Sequence, residues 1–465
     1  MKYSKIPLSQ TVVELCKAYQ IQHVVISPGS RSAPLTIGFT NDSYFKCYSI
    51  VDERCAGFFA LGIAQQIGKP VALICTSGSA LLNYYPAISE AYYSNIPMIV
   101  LSADRPKHLV DIGDGQTIKQ SYVYGDHVLY STNLKLDLRG DDLVNDSNSP
   151  QIIQSIKDKT ERFLGITEDI QSYNEKEINA AIGKSVLKSG PVHINCPFNE
   201  PLYETTEERS VNVTATIPSP ALDHISEEEL SSCIDSWQNA DRKVVLVGVN
   251  SPEEIKDEWL NRLAQDDSVI VFTETTSNIH HNEFFPSIDK IIAPLEENNF
   301  RALQPDILIT FGGMVVSKKI KAFLRTYQPK QHWHIGKNRA NDTFFCLNKH
   351  IQVSPDYFFE SLLPKVSLSE SDYKPSWIQV KAKRALKHEA YLDEIPFCDF
   401  LVFDRVLKTI PDHYQLQVGN SSAIRYTQLF DVNPTLHVFC NRGTSGIDGS
   451  TSTAVGAAVV SESPV

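Results

Sequence analysis

From His23 to Asp104 short β-branched and apolar runs recur, HVVISPGS, KCYSIV, PVALICTSG and IPMIVLSAD, and each of the first three leads into a stretch with helical spacing. Alternating strand and helix of this kind predicts a parallel sheet with helices on both faces. Each run closes on small or polar residues: Ser27-Pro28-Gly29-Ser30, Asp52-Glu53-Arg54, Thr76-Ser77-Gly78-Ser79 and Ser102-Ala103-Asp104-Arg105. In open α/β sheets those carboxyl ends are where ligands bind. Further on, GPVHINCPFNEPLYETTEE (Gly190 to Glu208) has a buried-type strand, then Pro-rich and acidic sequence, the mark of a domain end and linker.

The alternation then returns, with candidate strands KVVLVGV (Lys243 to Val249), SVIVFTET (Ser268 to Thr275), ILITFGG (Ile307 to Gly313) and QHWHIG (Gln331 to Gly336). Polar SLSESDYKPS (Ser367 to Ser376) reads as a second linker, after which YQLQVGNSSAIRY and LHVFCNRGTSGIDG open a third block. The expected architecture is α/β, three successive parallel-sheet domains: residues 1–189, a strand end and linker at 190–225, a central domain at 226–365, and a last domain at 366–465. The length of 465 residues agrees, since it exceeds one ordinary core and suits roughly three domains.

Composition narrows the function. With 42% hydrophobic and 21% charged residues the chain is of the globular kind. Its 43 basic and 55 acidic residues leave a net charge of −12, a field that opposes nucleic acid and anionic membrane. An anionic substrate must therefore be held by a local cluster of Arg and Lys. The nine cysteines are scattered without a CxxC pair, which points to a reduced, cytoplasmic protein. Polar residues break every apolar run of the N-terminal MKYSKIPLSQTVVELCKAYQ, so it reads as neither signal peptide nor membrane span.

Candidate chemistry gathers at the strand ends. Asp52 and Glu53 sit where a strand meets a long helix; alone, such acids would only favour the helix dipole. Ser30-Arg31, Thr76 to Ser79 and Asp104-Arg105 end neighbouring strands, so all would converge on one rim. A lone surface Arg is usually just solvated, but Arg31 lies in SPGSRSAP, where Pro28, Gly29 and Pro34 constrain the backbone. A rigidly held guanidinium can grip a carboxylate through two parallel bonds. Lys318, Lys319, Arg425 and Arg442 are the other cations at strand ends or glycine-rich loops, a set suited to a substrate with several carboxylates. GNSS (Gly419 to Ser422) and GTSGIDGSTST (Gly443 to Thr453) are either phosphate cradles or plain turns. No GxxxxGK[ST], HExxH, GxSxG or GxGxxG motif occurs.

In order and spacing, SPGSRSAPL, DERCAGFFALGIA, TSGSALLNYYPAISEA, LSADRP and NRGTSGIDGSTSTAVG resemble the 2-succinyl-5-enolpyruvyl-6-hydroxy-3-cyclohexene-1-carboxylate synthase family of menaquinone biosynthesis. That family lies within the thiamine-diphosphate-dependent decarboxylase superfamily. The resemblance implies a first domain for the cofactor's aminopyrimidine, a central helper domain and a last domain for its diphosphate. It also implies thiamine diphosphate with Mg2+ or Mn2+, isochorismate and 2-oxoglutarate as substrates, and a homodimer or homotetramer. Glu53 falls where the family hydrogen-bonds the aminopyrimidine, and Ile447 where an apolar side chain wedges the cofactor. Ser30, Arg31, Arg105, Gln116, Lys318, Lys319, Ser421, Arg425 and Arg442 fall where carboxylate-rich substrates bind.

Lys319 stands in place of an expected arginine, exchanging a fork for a point charge, and Gly115 in place of a common asparagine. The family's metal motif, a Gly-Asp-Gly-like turn followed roughly 25 to 30 residues later by Asn, is expected beyond Val465. The last domain is accordingly expected to be only its N-terminal part, with no metal ligand inside the chain. Two other functions remain open: a different carboligase, acetolactate-synthase-like, or a non-catalytic truncated homologue.

Overall fold

The computed structural model describes residues 2–137 and 170–465. They divide into two compact units, Met1–Pro220 with Thr451–Ser461, and Ala221–Ser450 with Glu462–Val465.

The strands of the first unit are β1 (Tyr3–Ser4), β2 (His23–Ile26), β3 (Lys46–Ser49), β4 (Val71–Cys75), β5 (Met98–Asp104), β6 (Tyr130–Asn133), β7 (Val192–Pro197) and β8 (Thr205–Thr206). Six of them form one parallel sheet in the order β3-β2-β4-β5-β7-β6, while β1 and β8 make a small antiparallel pair. The hydrophobic runs become strands because both faces are covered. Val24, Ile26, Ala72, Ile74, Ile99 and Leu101 pack on one face against α1 (Pro7–Ala18), α2 (Ala33–Thr40) and a helix at Ile170–Lys188. Val25, Val71, Leu73 and Val100 point the other way, onto α3 (Glu53–Ile67) and the helix Tyr85–Ser94. Successive residues alternate between two cores, which is the period-two geometry of a strand. Each large aliphatic side chain so buried contributes roughly 1.5–3 kcal/mol.

Within this unit α3 also touches the helix Ser450–Val460 backbone to backbone. A side chain at Gly62 would run into the Thr453 carbonyl, and one at Gly456 into the Phe59 carbonyl. Glycine is required at both places by the closeness of the helices.

The second unit repeats the two-faced arrangement with β9 (Lys243–Val247), β10 (Val269–Phe272), β11 (Ile307–Phe311), β12 (Gln331–Ile335) and β13 (Lys349–Ile351), ordered β10-β9-β11-β12-β13 and parallel throughout. Val245, Val247, Ile309 and Trp333 enter one core, and Val244, Leu246, Leu308 and Ile270 the other. A separate parallel pair, β14 (Gln415–Gln417) and β15 (His437–Phe439), carries the loops 418–421 and 440–449 at its carboxyl ends.

The runs read from the pattern lie where these strands lie, and the α/β parallel-sheet class holds. β6 and β13 are strands the pattern did not announce. Tyr130-Ser131-Thr132-Asn133 and Lys349-His350-Ile351 carry little apolar signal because they sit at sheet edges.

Candidate active site

In the first unit the chain runs from β2 to β3 on one side of the sheet and then returns to β4 on the other. The order reverses between β2 and β4, and an open α/β sheet has its ligand crevice at such a point. The loop after β2 and the loop after β4 line it. Gly29 packs against the Thr76 side chain so closely that no Cβ would fit. Gly78, at φ +88°, has the backbone of Gln116 about 3.0 Å from where a Cβ would stand. Gln116 itself has φ 57°.

Glu53 opens α3 beside this crevice. The two neighbouring acids divide the work: the Asp52 carboxylate caps the helix by accepting from the Cys55 N–H at 2.8 Å. Glu53 is half-buried, and its carboxylate has neither hydrogen bond nor ion pair among the described residues. Its charge, after burial, helps to push the Cys75 thiol up, which places the carboxylate near the end of β4.

Arg31 and Arg105 flank the same rim. Arg31 is 7% exposed, donates to the Phe198 carbonyl at 3.0 Å and pairs with Glu200 at 3.2 Å. Burial holds its guanidinium below the ordinary value; Glu200 opposes this, and the nearby Arg105 adds to it. Arg105 donates to the Gly115 carbonyl at 3.0 Å and faces Asp114 at 3.4 Å, while its Nε is buried with no hydrogen-bond partner among the described residues. Buried donors of this kind are costly unless a ligand completes them. Ser30 is exposed on the loop before Arg31.

In the second unit Lys318 and Lys319 are exposed at the start of the helix Lys318–Thr326. Ser317 caps that helix, accepting from the Ile320 N–H at 3.0 Å and donating to Asp289. Beneath the turn lies Glu274, whose carboxylate accepts from the Val316 N–H at 2.6 Å, the Ser317 N–H at 2.7 Å and the Ser277 N–H. Burial pushes its carboxyl up to about 7; the Val316 and Ser317 N–H groups oppose the rise, and so do Arg442 and Lys321. Burial lowers Lys321, Glu274 raises it, and Arg442, Arg325 and Lys318 lower it. Lys318, Lys321 and Arg442 thus share one electrostatic neighbourhood around a buried acid.

Arg442 donates to the Asn420 Oδ1 at 2.7 Å, and its Nε too is buried with no hydrogen-bond partner among the described residues. Asn420 in turn donates to the carbonyls of Asn441 at 2.7 Å and Gly446 at 2.6 Å, tying the two loops of the β14–β15 pair together. Ser421, at φ 64°, follows Asn420, and Arg425 is exposed on the helix Ser422–Thr427. Ile447 is 77% exposed in the second of these loops.

The structure gathers Ser30, Arg31, Glu53, Arg105 and Gln116 on one rim of the first unit, and Lys318, Arg442 and the Ser421 loop in the second. Sequence reasoning missed Glu274 and Lys321, and took in Asn420 only as part of the GNSS turn. Glu274 directly follows β10 by two residues, so the strand-end rule was the available signal. Lys321 and Asn420 act through partners far away in sequence. Among the described residues no group of three or more His, Cys, Asp or Glu side chains is placed to hold a metal ion, and no helix is long and apolar enough to cross a membrane.

Comparison with known proteins gives this geometry a context. The family pattern described as "Thiamine pyrophosphate enzyme, N-terminal TPP binding domain" matches residues 6–123. Proteins named 2-succinyl-5-enolpyruvyl-6-hydroxy-3-cyclohexene-1-carboxylate synthase are similar along the chain. That of Christiangramia forsetii is 53% identical, covering 100% of this chain and 79% of its own. That of Flavobacterium psychrophilum is 50% identical over 99% and 78%, and that of Phocaeicola vulgatus 33% over 97% and 75%. With similarity of this extent, and a thiamine-binding pattern over the unit that carries Glu53 and Arg31, the chain belongs to the 2-succinyl-5-enolpyruvyl-6-hydroxy-3-cyclohexene-1-carboxylate synthase family.

Proposed function

We propose that the chain decarboxylates 2-oxoglutarate with thiamine diphosphate and adds the succinyl unit to isochorismate in a 1,4-addition. The products are 2-succinyl-5-enolpyruvyl-6-hydroxy-3-cyclohexene-1-carboxylate and CO2. The observation that carries this reading is Glu53, a half-buried carboxylate at the crevice of the first unit without a hydrogen bond among the described residues. Such a group fits a ligand that presents a ring nitrogen to it. When bound, the cofactor supplies the electron sink for decarboxylation. Glu53 would hold the aminopyrimidine and tune its proton, and Ile447 would press on the cofactor as an apolar wedge.

The cations account for the substrates. Arg31 and Arg105 in the first unit, and Lys318, Lys319, Arg425 and Arg442 in the second, would bind the carboxylates, with Gln116, Ser30 and Ser421 as neutral hydrogen-bonding groups. The buried Nε atoms of Arg105 and Arg442, which have no hydrogen-bond partner among the described residues, support this assignment. In a chain of net charge −12 their local field must attract the substrate against the overall one. Mg2+ or Mn2+ is proposed to accompany the cofactor's diphosphate, with none of the residues named above assigned as its ligand. The reading extends to a cytoplasmic homodimer or homotetramer, and nine free cysteines suit a reducing compartment. Sedimentation as a monomer at assay concentration would contradict the oligomer.

The test supplies the chain with thiamine diphosphate, Mg2+ and either isochorismate with 2-oxoglutarate or pyruvate alone. Mass spectrometry should find the succinylated product only from the first mixture. Acetolactate from pyruvate, with no product from the first, would overturn the reading in favour of a different carboligase.

A further inference from the structure

Beneath the rim of the first unit lies a buried polar chain centred on Asn195, which is 5% exposed. Asn195 sits on β7 between Ser102 of β5 and Asn133 of β6. Its Oδ1 accepts from the Ser102 hydroxyl at 2.8 Å and from the Gln120 Nε2 at 2.7 Å. Its Nδ2 donates to the Asp104 Oδ2 at 2.8 Å and to the Asn133 Oδ1 at 3.1 Å. All four hydrogen-bonding positions of the amide are in use. The Ser102 hydroxyl, having donated to Asn195, accepts from His193 Nε2 at 2.7 Å, which leaves His193 Nδ1 to accept from Ser131 at 3.3 Å. Burial keeps this imidazole neutral by lowering its pKa to about 3, in agreement with that assignment.

Two arms lead from Asn195 to the crevice. Through Gln120, whose Oε1 accepts from the Gly78 N–H at 2.9 Å, it reaches the loop whose glycine lies against Gln116. Through Asp104, whose Oδ1 accepts from the Arg105 N–H at 2.7 Å, it reaches the turn that aims Arg105. The Asp104 carbonyl also accepts from the Phe198 N–H at 3.0 Å, and Phe198 holds Arg31. A buried amide used at both ends fixes its neighbours more tightly than an apolar side chain of the same size would.

We propose that Asn195 is a positioning residue that sets the Gly78–Gln116 loop and the Arg105 turn in register for the substrate's carboxylates. The substrate half of this inference rests on the function proposed above; the positioning half does not. Asn195→Asp separates the two arms, because it keeps the acceptor for Gln120 and replaces the donor to Asp104 with a second carboxylate oxygen.

At pH 8, amide hydrogen exchange on the whole chain should speed up about tenfold or more at Arg105 in Asn195→Asp and stay within roughly threefold at Gly78. In Asn195→Ala both amides should speed up, while Leu73 and Val100 in the sheet interior stay protected. Unchanged exchange at Arg105 in the Asp variant overturns the positioning role. If the Ala variant loses protection everywhere, the Asp variant decides alone. Calorimetric titration with isochorismate then tests the substrate half. Arg105→Ala and Asn195→Asp should each weaken binding about tenfold, and the double variant should be within about twofold of Arg105→Ala. Additive losses would overturn action through Arg105. Unweakened binding in Arg105→Ala itself would instead remove Arg105 from the proposed substrate set, leaving the exchange result to stand or fall by itself.

Discussion

Replacing Glu274 with glutamine should change how the stability of the second unit depends on pH. The Glu274 carboxyl is fully buried and raised from 4.5 to about 7. At about 1.4 kcal/mol per pKa unit, this amounts to roughly 3 kcal/mol between its protonated and ionised states. The folded state holds the proton more tightly than the unfolded state does. The stability contributed is therefore fully present below 4.5 and is lost as pH rises through about 7. His332 and His334, lowered to about 4 by burial, act in the opposite sense, losing stability as pH falls from 6.5 toward 4. The parent curve alone is a sum of both effects, but the difference between parent and Glu274→Gln removes the histidines.

All four tryptophans, Trp237, Trp259, Trp333 and Trp377, lie in the second unit, so urea unfolding followed by tryptophan fluorescence reports that unit by itself. From pH 4.5 to pH 8 the variant should gain roughly 3 kcal/mol relative to the parent, starting from whatever offset its amide imposes at pH 4.5. A pH-independent difference, or one of opposite sign, would refute a Glu274 carboxyl that burial holds above its ordinary value in the folded state.

Two other outcomes follow from the geometry. Arg31→Ala and Arg425→Ala should raise the Michaelis constant of isochorismate or 2-oxoglutarate about tenfold or more with a smaller change in kcat; unchanged constants for both substrates would remove these arginines from the site. Gly456→Val should lower stability by roughly 1–3 kcal/mol or undock the helix Ser450–Val460, because the Phe59 carbonyl occupies the space of its side chain; an unchanged thermal transition by circular dichroism would contradict the close crossing.

The sheets were legible because a two-sided core writes itself as continuous apolar runs, as in VALIC of β4 and KVVLV of β9. β6 and β13 were not, since an edge strand with polar residues carries no such mark. Among the candidate site residues, Arg31, Glu53 and Arg105 could be read from their places at strand ends, where the chain's punctuation by Gly, Pro and Ser points to a rim. Asn195 and Glu274 could not. Each is a buried polar residue whose meaning depends on which N–H or side chain meets it, Val316 and Ser317 for Glu274, Gln120 and Asp104 for Asn195. Those partners are distant in sequence and are brought in only by the tertiary fold. The division between Asp52 and Glu53 was likewise hidden: adjacent acids look alike until one is seen to cap the helix and the other to lack a partner among the described residues.

Glu53 is proposed to serve a bound thiamine diphosphate. Calorimetry with the cofactor and Mg2+ should give dissociation constants for the parent and Glu53→Gln within a few-fold of one another. CO2 release from carboxyl-labelled 2-oxoglutarate, measured at matched cofactor occupancy with isochorismate present, should then fall by roughly a hundredfold or more in Glu53→Gln. Turnover within a few-fold of the parent would contradict the assignment of Glu53.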